Sequence, residues 1–147
     1  MVASVCADLG VPHATLTVSV ASGNLQERAR AARYAALSAW GGKRALAALA
    51  TAHHADDQAE TLVMRLNRGS GLAGLAGVRA RGAIAGCDLP LLRPLLGWRR
   101  TELAALAADA GVEPVRDPSN EDDGFERVRI RRALADAEWL DPGGLAR

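Results

Sequence analysis

The sequence predicts an α/β fold built on a parallel sheet with flanking helices. Residues 14–20 (ATLTVSV) are β-branched and alternate. Residues 44–52 (RALAALATA) form a short apolar run that leads straight into polar residues. Each run is followed by a stretch with helical apolar spacing that glycine closes. At 147 residues and 15.4 kDa the chain has room for one core, not for two complete domains. Lys and Arg number 18 against 17 Asp and Glu, a net charge of +1, so any basic surface must be local. A hydrophobic share of 49% argues against disorder, but only five residues are aromatic and Ala is abundant, so the core is thin. Cys6 and Cys87 lie far apart without paired or metal-type spacing, which speaks against a disulfide framework or zinc ribbon and for inert thiols in a reducing compartment. No run approaches the roughly 18 apolar residues of a membrane span. The first ten residues lack the basic region and long apolar stretch of a secretory signal, so a soluble, cytoplasmic protein is expected.

Taken in order, Val2, Val5, Cys6 and Leu9 share one helical stripe, which Gly10 and Pro12 stop. This stripe is periodic from residue 2 with no capping residue, so we expect the end of an element that starts upstream of Met1; a short native helix is the alternative. The strand at 14–20 puts Leu16, Val18 and Val20 on one side. Asn24 is the expected N-cap of a helix to residue 40, with Leu25, Ala29, Ala32, Ala36 and Leu37 inward, Arg28, Arg30 and Arg33 riding on it, and Gly41-Gly42 ending it. A second strand covers 44–52. A helix over 56–68 faces Ala59, Leu62, Val63 and Leu66 inward and closes at Gly69. Six glycines over 69–86 predict loop and short turns. A helix over 98–110 buries Leu103, Leu106 and Ala107, and Pro114 and Pro118 then impose an extended piece and a turn. The last helix spans 125–137 and carries four arginines in six residues, and the tail that follows offers no partner for Trp139 or Leu140. Only two strands are visible, too few for a complete parallel sheet.

The densest polar cluster, His53-His54-Ala55-Asp56-Asp57-Gln58-Ala59-Glu60, sits where the second strand gives way to a helix. Ligands of open α/β sheets bind at this end of a strand, and a helix N-terminus offers free amides to an anion. Asp57 and Glu60 are three apart and share a helix face, so both carboxylates can meet one ligand directly or through Mg2+. Two other readings compete. Asp56 can simply cap the helix with Glu60 completing the pattern, or His53, His54, Asp56 and Asp57 can ligate a dinuclear metal centre, although no second ligand cluster follows. Arg65, Arg68, Gly69, Ser70 and Gly71 end the same helix, where cations also complement the helix dipole. Arg93-Pro94 follows, then Asp117-Pro118-Ser119-Asn120 and Phe125 to Arg132. Arg127 and Arg131, four apart, share a face suited to clamping polyphosphate or RNA; a solvated face paired with Asp123 and Glu126 is the alternative.

In this order and spacing, HHADDQAET, RLNRGSG, RPLL, DPSN and FERVRIR, preceded by LQERARAARYAAL, resemble the tRNA(Ile)-lysidine synthetases of the PP-loop ATP pyrophosphatase superfamily. The resemblance runs from about residue 3 to residue 135. It implies a partial Rossmann-like (adenine nucleotide alpha hydrolase-like) domain over 1–135, with 136–147 as a linker or tail. It implies an ATP- and Mg2+-dependent ligase: the C2 oxygen of the wobble cytidine of tRNA(Ile) with a CAU anticodon is adenylated, pyrophosphate leaves, and the ε-amine of free L-lysine displaces AMP. By the same resemblance His53, Asp57 and Glu60 are catalytic, with Asp57 a possible Mg2+ ligand; His54, Asp56 and Asn120 meet substrate; and Arg68, Gly69, Ser70, Arg93, Arg127, Arg129 and Arg131 hold nucleotide phosphates or tRNA.

The sequence departs from that family in three respects. The Ser-Gly-Gly-x-Asp-Ser phosphate loop is absent: Ser22-Gly23 and Ser70-Gly71 lack the second Gly and the Asp, so no backbone cradle for pyrophosphate is visible. The first strands and the C-terminal tRNA-binding region are also missing, and Val128 stands where the family usually has Asn. The expectation is a chain with little activity by itself; the alternative is a non-catalytic half that docks on a partner through an exposed sheet edge.

Overall fold

A computed structural model describes residues 2–20, 25–115, 117 and 120–146, with backbone only at residues 25 and 26. The α/β class holds. The chain forms two compact units, residues 1–50 with 81–92 and residues 51–80 with 93–147.

The first unit contains α1 (Val2–Asp8), α2 (Leu25–Lys43), β1 (Leu49–Ala50), β2 (Arg81–Ile84) and β3 (Cys87–Leu92). Its sheet runs β1-β3-β2. β1 pairs parallel to β3, with Leu49 opposite Leu91, and β2 pairs antiparallel to β3 through a hairpin whose turn holds Gly86 at φ +74°. Tyr34, Leu49 and Leu91 are the buried core, with Leu37, Ile84, Cys87 and Leu89 packed around them. The guanidinium groups of Arg30 and Arg33 lie 4.9 and 5.7 Å from the Tyr34 ring centroid, and Arg44 lies 4.4 Å from that of Trp40. The α2 arginines therefore lie across aromatic faces, where cation–π attraction adds to packing.

Several local expectations are corrected in this unit. α2 does not stop at Gly41-Gly42 but runs through both to Lys43. It ends where Ala45 takes φ +50° and the amides of Arg44 and Leu46 both donate to the Gly41 carbonyl at 3.1 Å. Gly41 lies against Leu89: a Cβ there would stand 2.8 Å from Leu89 Cδ1, so that side-chain end would have to shift. The anticipated N-cap Asn24 and the Ser22-Gly23 pair lie outside the described residues. Residues 14–20 form no strand: no described segment pairs with their backbone, and Leu16 and Val18 instead line an apolar groove of roughly 570 Å3 with Ala29, Ala36, Leu37 and Trp40 of α2. The second strand contracts to two residues, because 44–46 are used in ending α2 and the register with β3 begins at Leu49. The glycine-rich stretch holds more order than expected, including one edge of the sheet.

The second unit is helical: α3 (Ala55–Asn67), α4 (Leu72–Leu75), α5 (Arg100–Asp109), α6 (Glu126–Asp136) and α7 (Pro142–Ala146). α4, α6 and α7 pack on α3, which buries Ala55, Ala59 and Glu60, while α6 buries Val128. α3 begins one residue earlier than expected. His54 is its N-cap, and Asp57 rather than Glu60 folds back to accept the His54 amide at 3.0 Å. α5 begins later, after Arg99, whose amide donates to Glu102 at 2.6 Å. Its Leu106 is not interior; it is 50% exposed, because α5 turns little of its surface to other elements. The tail is not free of partners either: Leu140 is half-buried and α7 docks on α3, although Trp139 stays exposed. Among the described residues no helix is long and apolar enough to cross a membrane.

Candidate active site

Two helix starts are tied together by each other's main chain in the second unit. The Ala55 amide at the start of α3 donates to the Trp98 carbonyl at 2.8 Å, and the Arg100 amide at the start of α5 donates to Asp56 Oδ2 at 2.7 Å. The free amides of each first turn are thus partly satisfied by the opposite segment. Asp56 also accepts Arg99 through Nε at 3.3 Å and Nη2 at 3.2 Å. Burial pushes the Asp56 pKa up, but the Arg99 hydrogen bonds, the Arg100 amide and the charges of Arg99 and His54 outweigh it and hold the carboxyl below its ordinary range. The same hydrogen bond to Asp56 raises the Arg99 pKa, more than its own desolvation lowers it.

One turn further along α3, Glu60 is 1% exposed and surrounded by guanidinium groups. Its Oε1 accepts Arg131 Nε at 2.8 Å and Arg100 Nη2 at 3.0 Å, while Arg127 Nε lies 3.5 Å from Oε2. A carboxylate taken out of water costs several kcal/mol unless cations and donors compensate it, and three guanidiniums do so here. Oε2 is nonetheless buried without a hydrogen bond. Arg127 reaches further, placing Nη1 4.0 Å from Asp57 Oδ1 and donating through Nη2 to Thr61 Oγ1 at 3.2 Å. The three-residue spacing on α3 therefore meets the four-residue spacing on α6, as residues that share a helix face can.

These groups border two clefts. The larger, roughly 590 Å3, is lined by His54, Asp57, Arg100, Asp117, Asn120 and Arg131 among others. A smaller one of roughly 340 Å3 adjoins Asp56, Glu60, Arg99, Arg100 and Arg131. Arg100 and Arg131 belong to both, so each presents charge to either opening.

The other anticipated residues are distributed more widely. His53 Nδ1 is 2.9 Å from Thr51 Oγ1, ahead of α3. His54 sets Nδ1 3.7 Å from Asp56 and Nε2 3.5 Å from Asp57. At the far end of α3, Arg68 pairs with Glu126, Gly69 takes φ +68°, and the Ser70 amide returns to the Arg65 carbonyl at 3.0 Å. Arg93 is buried and donates through Nη1 to the Arg79 carbonyl at 2.7 Å. Arg129 donates to the Asp123 carbonyl at 2.6 Å, fixing the turn ahead of α6. Pro118 and Ser119 lie outside the described residues. Among the described residues no group of three or more His, Cys, Asp and Glu side chains is arranged to hold a metal ion. Arg99 and Arg100 escaped the sequence reading. Their only signal is the Trp98-Arg99-Arg100 triplet ahead of a helix, which reads equally as a solvated helix start.

A profile of the PP-loop domain matches residues 1–138. The chain belongs to the PP-loop family. Among curated relatives of this PP-loop chain, a tRNA(Ile)-lysidine synthase of Novosphingobium aromaticivorans is 57% identical over 99% of the chain and 45% of the relative. Proteins of the same name from Zymomonas mobilis and Pseudomonas aeruginosa are each 46% identical, over 95% and 89% of this chain and 44% and 29% of their own lengths. The PP-loop chain thus spans less than half the length of these curated relatives.

Proposed function

We propose that this chain carries part of the site at which an ATP-dependent ligase joins free L-lysine to the wobble cytidine of tRNA(Ile) with a CAU anticodon. The observation that carries the reading is the gathering of Arg100, Arg127 and Arg131 around buried Glu60 beside Asp57, with Asp57, Arg100 and Arg131 lining an open polar cleft. Guanidinium forks match phosphate oxygens and stabilise charge that builds on a leaving pyrophosphate. Carboxylates at the same cleft, Asp57 and Asp117, match an amine.

The residues present fit a nucleoside triphosphate: they offer several cations in one place and a carboxylate next to them for the accompanying Mg2+. Arg127 and Arg131 would hold phosphates, with Arg100 added to that group, and Asp57 would hold Mg2+. ATP supplies the adenylyl group that turns the C2 oxygen into a leaving group, with release of pyrophosphate; the lysine ε-amine then displaces AMP. His53, Asp57 and Glu60 would serve nucleotide and lysine, and of these Asp57 is the one at the cleft that can orient the amine and take up its proton. His54, Asp56 and Asn120 would position substrate, and Arg68, Gly69, Ser70 and Arg129 would flank it. A tRNA substrate goes with a cytoplasmic location.

A chimera tests this. Residues 1–147 replace the matching segment of the Novosphingobium aromaticivorans relative, and lysidine is measured in tRNA(Ile) by mass spectrometry after incubation with ATP, Mg2+ and lysine. Lysidine formation is expected. A chimera that folds as the parent relative does yet makes no lysidine, while that relative does, removes the proposal.

A further inference from the structure

Residues 70–80 follow α3 in the second unit, carry Gly71, Gly74 and Gly77, and contain only the single turn of helix α4. Such a segment has few backbone hydrogen bonds of its own and a large conformational entropy to lose. Side chains meet the need. Gln58 on α3 accepts the Val78 amide through Oε1 at 2.8 Å and donates through Nε2 to the Val78 carbonyl at 2.7 Å. One amide side chain thus satisfies both polar groups of one residue, as a neighbouring strand would. Arg65 donates to the Gly74 carbonyl at 2.7 Å and Arg93 to that of Arg79 at 2.7 Å. Gly77, at φ +60°, lies so close that a Cβ there would stand 3.2 Å from both polar atoms of the Gln58 amide.

We infer that Gln58, in the middle of HHADDQAET, is a positioning residue: its amide clamps Val78 and, with Arg65 and Arg93, holds the glycine-rich segment after Arg68-Gly69-Ser70 in a single conformation on α3. The clamp needs a donor and an acceptor on one planar group, which Gln supplies and an ionised Glu does not. In Gln58→Glu at neutral pH, two carboxylate oxygens would face the Val78 carbonyl and the donor would be gone.

The test is amide hydrogen exchange on the whole chain without ligand, at pH 7 and expressed as protection factors. Gln58→Leu is expected to lower protection at Val78 tenfold or more while the amides of α3 keep theirs. Gln58→Glu, equal in size but without the donor, should behave likewise at pH 7, a loss that packing alone would not produce. Unchanged protection at Val78 in Gln58→Leu, or a uniform loss along the chain, overturns the inference. Should Gln58→Leu not fold, Gln58→Glu at pH 7 decides by itself, and unchanged protection at Val78 overturns the clamp. Exchange is read without nucleotide, so a failed ligase proposal and a failed clamp give separate results.

Discussion

Arg127 on α6 and Asp57 on α3 stand with Nη1 and Oδ1 4.0 Å apart, although 70 positions of sequence separate them. The same guanidinium also approaches Glu60 and Thr61, so one cation lies across successive turns of a single helix face. A charge held this way is oriented before any ligand arrives.

In the chimera, Arg127→Ala should reduce lysidine formation at least tenfold, and Arg127→Lys should recover only part of it, because an ammonium cannot reproduce the planar fork. Initial rates against ATP concentration measure this. Equal rates for the Arg and Lys forms would show that charge alone suffices.

Glu60→Gln removes the buried anion that all three guanidiniums approach. The guanidinium ends reach water, which moderates their repulsion, so the expected loss is roughly 2 kcal/mol, below the usual range for breaking a fully buried pair. Urea unfolding of the 147-residue chain measures it. An unchanged midpoint would mean that the ion pairs around Glu60 add nothing net to stability.

Asp56 sets an acid limit on stability. Its folded pKa lies below the unfolded value, so its contribution is fully present above the unfolded pKa of about 4 and is lost as pH falls through the folded value. Unfolding free energy should therefore decline below about pH 4, and Asp56→Asn should flatten that decline while lowering stability at pH 7. Parallel profiles for the two proteins would contradict the assignment.

Gly41→Ala forces a methyl group to within 2.8 Å of Leu89 Cδ1. The shift of that flexible, half-buried side-chain end should about cancel the roughly 1 kcal/mol that Ala adds to a helix, and a thermal melt should leave the midpoint close to the parent's. A raised midpoint would show that Leu89 moves aside freely.

The family and the acidic–basic pairing were readable because they rest on local spacing. Asp57 with Glu60 and Arg127 with Arg131 each follow from helix periodicity, and α3 itself was misjudged at its ends and at Leu66, expected inward but 54% exposed. What depends on distant partners was not readable. Residues 14–20 have the composition of a strand, but a ladder needs a neighbour, and apolar contact with α2 takes its place. β3 overlaps only the first four residues of LPLLRPLL, whose prolines and leucines give no alternation, and its pairing with Leu49 is a relation between sites 42 residues apart. Arg100 was overlooked because its partner Glu60 lies 40 positions away.

Asp56 grips the side chain of Arg99 and the main chain of Arg100 with one carboxylate. A replacement at position 56 that removes both oxygens consequently disturbs a cation's aim and the seating of a whole helix in the same stroke. A loss-of-function allele there would report on architecture and electrostatics jointly. Asparagine, which keeps an acceptor for the amide while giving up the charge, is the substitution that tells the two apart.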